Sequence, residues 1–209
     1  MPASDLSFPS LLMPLAAMSD DQLFAGSTNG LRDRLKAATA AAHHALDERL
    51  SQFDLTTTPH YRRFLQASAA AVLPLEQVLE QAGVGEMLCD WAGRRRAEAI
   101  TTDLADLNGS VVPIELPTPP LDRPFVFGTL YVLEGSRLGA VYLLRVVTAS
   151  ADPRARRATR YLRHGAGQGL WRSFLERLAR EPLTPDDEVR MIASARAAFA
   201  VFAKAVESA

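Results

Sequence analysis

His43 falls on an apolar helical stripe, and far downstream a helical segment is interrupted by Gly135-Ser136-Arg137-Leu138-Gly139. A histidine facing a core can ligate a metal. A helix whose glycines carry no side chain can lie flat against a planar ligand, where any β-carbon would clash. Together the two suggest a pocket for an iron porphyrin held between helices. Each also has a plainer explanation. A lone histidine on an apolar face is more often a hydrogen-bonded core residue than a ligand. Glycines one turn apart, as Gly135 and Gly139 are, also serve close helix packing. Each costs about 1 kcal/mol relative to alanine in a helix interior, so the pair needs one reason or the other.

Scanning removes competing chemistries. No Glu-x-x-His occurs, which excludes the usual diiron carboxylate bundle motif. No His-Glu-x-x-His and no Gly-x4-Gly-Lys phosphate loop is present. Ser136 lacks the glycine two residues earlier that a nucleophile elbow requires, since that position is Glu134. His44 points about 100° around the helix from His43 and is expected to be exposed. His60 reads as a first-turn residue and His164 as a helix C-terminal one; neither is given a role.

The elements that must position these residues are helical. Alanine and leucine dominate and β-branched alternation is nearly absent, so the chain reads as all-α. Leu35, Thr39, His43, Leu46 and Leu50 form one stripe of a helix expected over Leu31–Leu50. A second helix is expected after Thr58, with Pro59 at its first position and a kink or break at Pro74. Short helices are expected over Met87–Trp91 and Arg95–Leu107, then an extended, proline-rich connection over 108–123. Asp122 opens a helix to about Thr148, followed by Pro153–Arg163, a turn at Gly165, Gly167 and Gly169, and Leu170–Arg180. Thr184-Pro185-Asp186-Asp187-Glu188 caps a last helix to about Val206.

With 209 residues, one domain is expected. It spans 31–207, with 1–30 as a disordered extension; residues 1–17 have an apolar run but no basic segment before it, unlike a signal peptide. The net charge of -1 gives no pull toward nucleic acid. Arg94-Arg95-Arg96 and Arg154, Arg156, Arg157 and Arg160 read as solvated faces. The single cysteine, Cys89, fits a reducing cytoplasm, and no run approaches the roughly 18 apolar residues of a membrane span.

At this point the motifs resemble a known family. Thr39-Ala40-Ala41-Ala42-His43 with Leu46-Asp47 resembles the proximal helix of heme oxygenases. Tyr131-Val132-Leu133-Glu134-Gly135-Ser136-Arg137-Leu138-Gly139 resembles the distal helix of the bacterial, bacteriophytochrome-associated branch. Tyr161–Gly165 and Trp171–Phe174 are similar to that branch's C-terminal half, and the likeness runs over about 31–205.

The resemblance implies a single-domain helical bundle with heme b, substrate and cofactor at once, between the two helices. It implies His43 as the iron ligand and Gly135, Ser136 and Gly139 as the distal segment that crowds bound O2 toward one meso carbon. Ordered water would supply the proton, an external ferredoxin or reductase the electrons. The products would be biliverdin, ferrous iron and CO, with a bacteriophytochrome as a possible biliverdin acceptor. Lys36, two turns before His43, resembles the family's basic position for heme propionates, and Arg172 and Arg177 are further candidates. Thr39 and Tyr131 are expected at the pocket. Ala140 replaces a glycine that many relatives carry, and narrows the pocket if it faces the heme. Two other readings share the fold: a heme sensor or carrier without turnover, and a helical interaction protein without heme.

Overall fold

The computed structural model describes residues 28–118 and 120–209. All regular structure among them is helical, in ten elements. Most of the expected N-terminal extension lies outside the described residues. The first helix, α1, spans Thr28–Leu50 and so begins three residues before the expected Leu31.

Helix α2, Thr58–Gln81, runs through Pro74 instead of ending there. A proline removes the N–H that would bond the carbonyl four residues earlier. That carbonyl belongs to Ala70, and the Ile114 N–H of the extended connection donates to it at 2.9 Å. The orphaned acceptor is thus satisfied from outside the helix, which is why α2 tolerates its proline. The same bond ties the connection to the bundle.

Two short helices, α3 (Val84–Met87) and α4 (Trp91–Arg94), stand where one over Met87–Trp91 was expected. After α5 (Ala97–Asp106) no helix forms until α6, Arg123–Thr148. The Asp122 side chain accepts from Phe125 N at 2.9 Å to start it. Pro153–Arg163, expected as one helix, is two: α7 (Pro153–Arg157) and α8 (Arg160–Arg163). The break falls at Ala158, whose carbonyl turns out to accept the buried Tyr61 hydroxyl at 2.5 Å. Helix α9 spans Leu170–Leu178, after Gly165, Gly167 and Gly169 have each taken positive φ. Helix α10, Pro185–Glu207, opens with a reciprocal Thr184–Asp187 capping box, worth about 1 kcal/mol.

Helix α6 is the bundle's axis. From Pro124 to Gly135 every residue is buried, the mark of a helix packed on all sides. Helix α10 lies along it so closely that a β-carbon on Gly128 would sit 2.2 Å from the Met191 carbonyl oxygen. Helices α1 and α2 both pack on α10. Arg34 of α1 pairs with Glu188, and Arg196 of α10 donates to the Ala38 carbonyl at 2.8 Å. Among the described residues no helix is long and apolar enough to cross a membrane.

Candidate active site

A cavity of about 330 Å³ opens between α1 and α6, within the roughly 300–1,000 Å³ usual for ligand pockets. Helix α1 contributes Lys36, Thr39, His43 and Leu46 to its wall; α6 contributes Tyr131, Gly135, Ser136 and Ala140. Residues predicted some ninety positions apart therefore share one cavity. The far walls come from Phe64 of α2, Tyr161 and Leu162 of α8, and Phe199 and Phe202 of α10.

His43 is held by two contacts. Its ring meets Phe199 edge-on, centroids 5.7 Å apart. Its Nδ1 lies 3.0 Å from the carboxylate of Asp47, one turn along and itself buried. With Nδ1–H given to Asp47, the opposite nitrogen, Nε2, keeps its lone pair for a ligand. Thr39 spends its hydroxyl proton inside α1, donating to the Leu35 carbonyl at 2.7 Å.

On the opposite wall, Gly135 presents bare backbone. The Ser136 hydroxyl donates to the Leu133 carbonyl at 2.8 Å and accepts from Arg96 Nη1 at 3.0 Å. Gly139 is buried on the same helix but does not line the cavity. Ala140 does, so its methyl narrows the space that a glycine would leave open. Tyr131 is buried in the wall, its ring against Trp171. Among the described residues its hydroxyl has no hydrogen-bond partner. Burial pushes this phenol up to about 12, so it remains a donor across the physiological range.

The cations are rearranged relative to expectation. Lys36 lines the cavity, but Arg172 and Arg177 do not. Arg172 is exposed. Arg177 donates to the Met87 carbonyl at 2.8 Å, pairs with Glu181 at 2.9 Å and covers the Phe127 ring, all away from the cavity. The second cation in the wall is Arg96, 3% exposed, where a solvated arginine cluster was expected. It donates to Ser136 and to the Leu133 carbonyl and lies 5.2 Å from the Tyr161 ring centroid. Its backbone N–H and that of Ala97 bond the two oxygens of buried Glu76 at 2.8 and 3.0 Å. Among the described residues no carboxylate pairs with its guanidinium. Arg94 is buried too, and only Arg95 of the three keeps a largely exposed side chain. Periodicity could not find Arg96, because it belongs to the turn between α4 and α5.

Among the described residues the wall is thus mainly apolar, with two cations, Lys36 and Arg96, the Tyr131 phenol, the His43–Asp47 pair and the exposed His44. That set fits a flat, apolar, metal-containing dianion.

The family model described as heme oxygenase matches residues 122–208. The heme oxygenase of Neisseria meningitidis, solved with NO and CO bound, is 26% identical, with a TM-score of 0.70. The alignment covers 85% of this chain and 90% of that one. A search of curated proteins finds no match.

Proposed function

We propose that this chain belongs to the heme oxygenase family and cleaves heme to biliverdin in the cavity between His43 and Gly135. The observation that carries this reading is the placement of His43 and the bare Gly135-Ser136 backbone on facing helices of one cavity, in a fold shared with a heme oxygenase. Bound heme supplies the iron that takes O2 and electrons and is itself the macrocycle that is opened, releasing ferrous iron and CO.

The chain's own residues bind and orient. His43 Nε2 would hold the iron, with Asp47 keeping the ring in the right tautomer and orientation. Gly135 would let α6 approach the ring plane, and Phe64, Leu46 and Phe199 would exclude water from its faces. Lys36 and the Tyr131 hydroxyl are suited to receive propionate oxygens. Ser136, oriented by Arg96, would hold ordered water on the side where O2 binds. Gly139, set behind the wall, is assigned to the packing of α6 and not to contact with the ring.

The motif likeness supports the bacteriophytochrome-associated branch, and hence a bacterial enzyme whose biliverdin serves a phytochrome. An external ferredoxin or reductase would supply the electrons. The lone exposed thiol of Cys89 suits a reducing compartment, and we place the enzyme in the cytoplasm.

The test is a spectrum. Purified protein mixed with hemin should develop a Soret band that His43→Ala loses. Ascorbate or a ferredoxin system in air should then convert that band into broad biliverdin absorption. A Soret band that persists under reductant would make the protein a heme carrier or sensor. No band at all would leave a helical protein that does not use heme.

A further inference from the structure

Behind the cavity, on the face of α6 turned away from it, lies a buried ionic cluster that the mechanism above does not use. Glu134, 1% exposed, immediately precedes Gly135. Its carboxylate accepts from Arg94 Nη1 at 2.7 Å and from Arg137 Nε and Nη2 at 3.0 and 2.9 Å. Arg94 also grips both oxygens of Asp90 at 2.7 Å and donates to the Leu170 carbonyl and the Ser173 hydroxyl at the start of α9. Arg137 donates to the Arg94 carbonyl at 2.6 Å and to the His164 carbonyl at 3.3 Å. The formal charges of Asp90 and Glu134 balance those of Arg94 and Arg137, and the His164 ring also touches the cluster, its Nδ1 3.2 Å from Arg137 Nη1.

Its position matters more than its strength. Buried ion pairs seldom add much net stability over apolar packing, because desolvation offsets attraction, but they specify one geometry. Here the geometry specified is that of a helix weakened by Gly135 and Gly139, the first of which leaves α6 without a side chain at that point of the cavity wall. The cluster braces it from the other side, joining α6 to α4, to the end of α8 and to α9.

We propose that Glu134 is a positioning residue: through Arg94 and Arg137 it sets the height of the Gly135-Ser136 segment over the cavity, and so decides which meso carbon is attacked. This rests on the heme-cleaving reading. No contact between Glu134 and the substrate is involved. Loss of its charge leaves Arg94 with Asp90 alone and takes from Arg137 the carboxylate it grips, and α6 can settle at more than one height.

Three proteins test it: wild type, Glu134→Gln, and Arg137→Lys, which keeps the charge but loses the bidentate grip. Each is saturated with hemin, and product isomers are separated after turnover. The C–O stretch of the ferrous CO complex and amide exchange of ligand-free α6 are read alongside. Wild type should give one dominant biliverdin isomer and one narrow C–O band. Glu134→Gln should give a mixture with a minor isomer raised at least fivefold, a broadened or split band, and exchange at least tenfold faster over residues 135–139. Arg137→Lys should shift the same three readouts in the same direction, and serves as the test if Glu134→Gln does not fold. Unchanged isomer ratio and band in a folded, heme-saturated variant would overturn the proposal and leave the heme-cleaving reading intact. A wild-type protein that takes up no heme would overturn that reading itself.

Discussion

The Asp47 carboxylate stands 3.0 Å from Nδ1 of His43, one helical turn along α1, and this contact decides which ring nitrogen is left for a ligand. Both groups are largely buried, so the pair is oriented by packing as well as by charge. Asp47→Ala should leave the fold intact and weaken heme affinity about 10–100-fold, the usual effect of removing a ligand's hydrogen-bonded partner. A hemin titration followed at the Soret band reads this directly. Unchanged affinity would mean that His43 does not hold the iron through the nitrogen opposite Asp47.

Tyr131 carries a buried hydroxyl with no hydrogen-bond partner among the described residues. An unsatisfied buried donor costs about 1–3 kcal/mol. Tyr131→Phe should therefore stabilise the ligand-free protein by roughly 1 kcal/mol in urea unfolding while weakening heme uptake. Lys36→Ala should also weaken uptake, and Arg172→Ala, outside the cavity, should not. Equal losses for Lys36 and Arg172 would point to general surface attraction in place of a defined propionate contact.

Gly128 is where α6 and α10 touch. A β-carbon there would fall 2.2 Å from the Met191 carbonyl oxygen and 3.1 Å from Ala195 N, both backbone atoms that cannot rotate away. Gly128→Ala should destabilise the protein by about 3 kcal/mol or more, since the helices must separate. Gly167→Ala, with open space around it but positive φ, should cost about 1 kcal/mol. Chemical denaturation of the two variants side by side checks the ranking.

Glu76 gives a signed pH effect. Burial pushes its carboxyl above the ordinary range, with the Arg96 and Ala97 N–H groups opposing the shift. The folded state thus binds this proton more tightly than the unfolded chain. The group's contribution is present in full below about pH 4 and is lost as pH rises through the raised folded value. Glu76→Gln, which keeps an acceptor for one of the N–H groups, should gain stability relative to wild type as pH is raised from about 4 to 7. A stability difference that stays flat across this range would show that the carboxyl titrates as if exposed.

Much of this molecule is legible locally. The four-residue spacing along α1 places Leu35, Thr39 and His43 on one stripe because helical periodicity depends only on neighbours in the chain. Asp122 and Thr184 mark the starts of α6 and α10 for the same reason: each cap is closed by an N–H three residues on. The Gly135–Gly139 pair and the bulk of the helical assignment belong here too.

What stays hidden depends on partners distant in the chain. Pro74 looks like a helix breaker until Ile114 arrives to bond the Ala70 carbonyl. Ala158 interrupts an otherwise helical stretch where its carbonyl meets a hydroxyl from α2. Arg94 and Arg96 read as surface charges, yet the bundle buries both, one against Glu134 and the other against Ser136. Arg177 looks available for an anion and is already held by Met87 and Glu181. A charged side chain's role is set by which opposite charges and carbonyls fold up beside it, and no local spacing encodes that. The helices and the iron-ligand candidate are therefore properties of the chain read in order, while the cations of the cavity and the bracing of α6 exist only once the helices have packed.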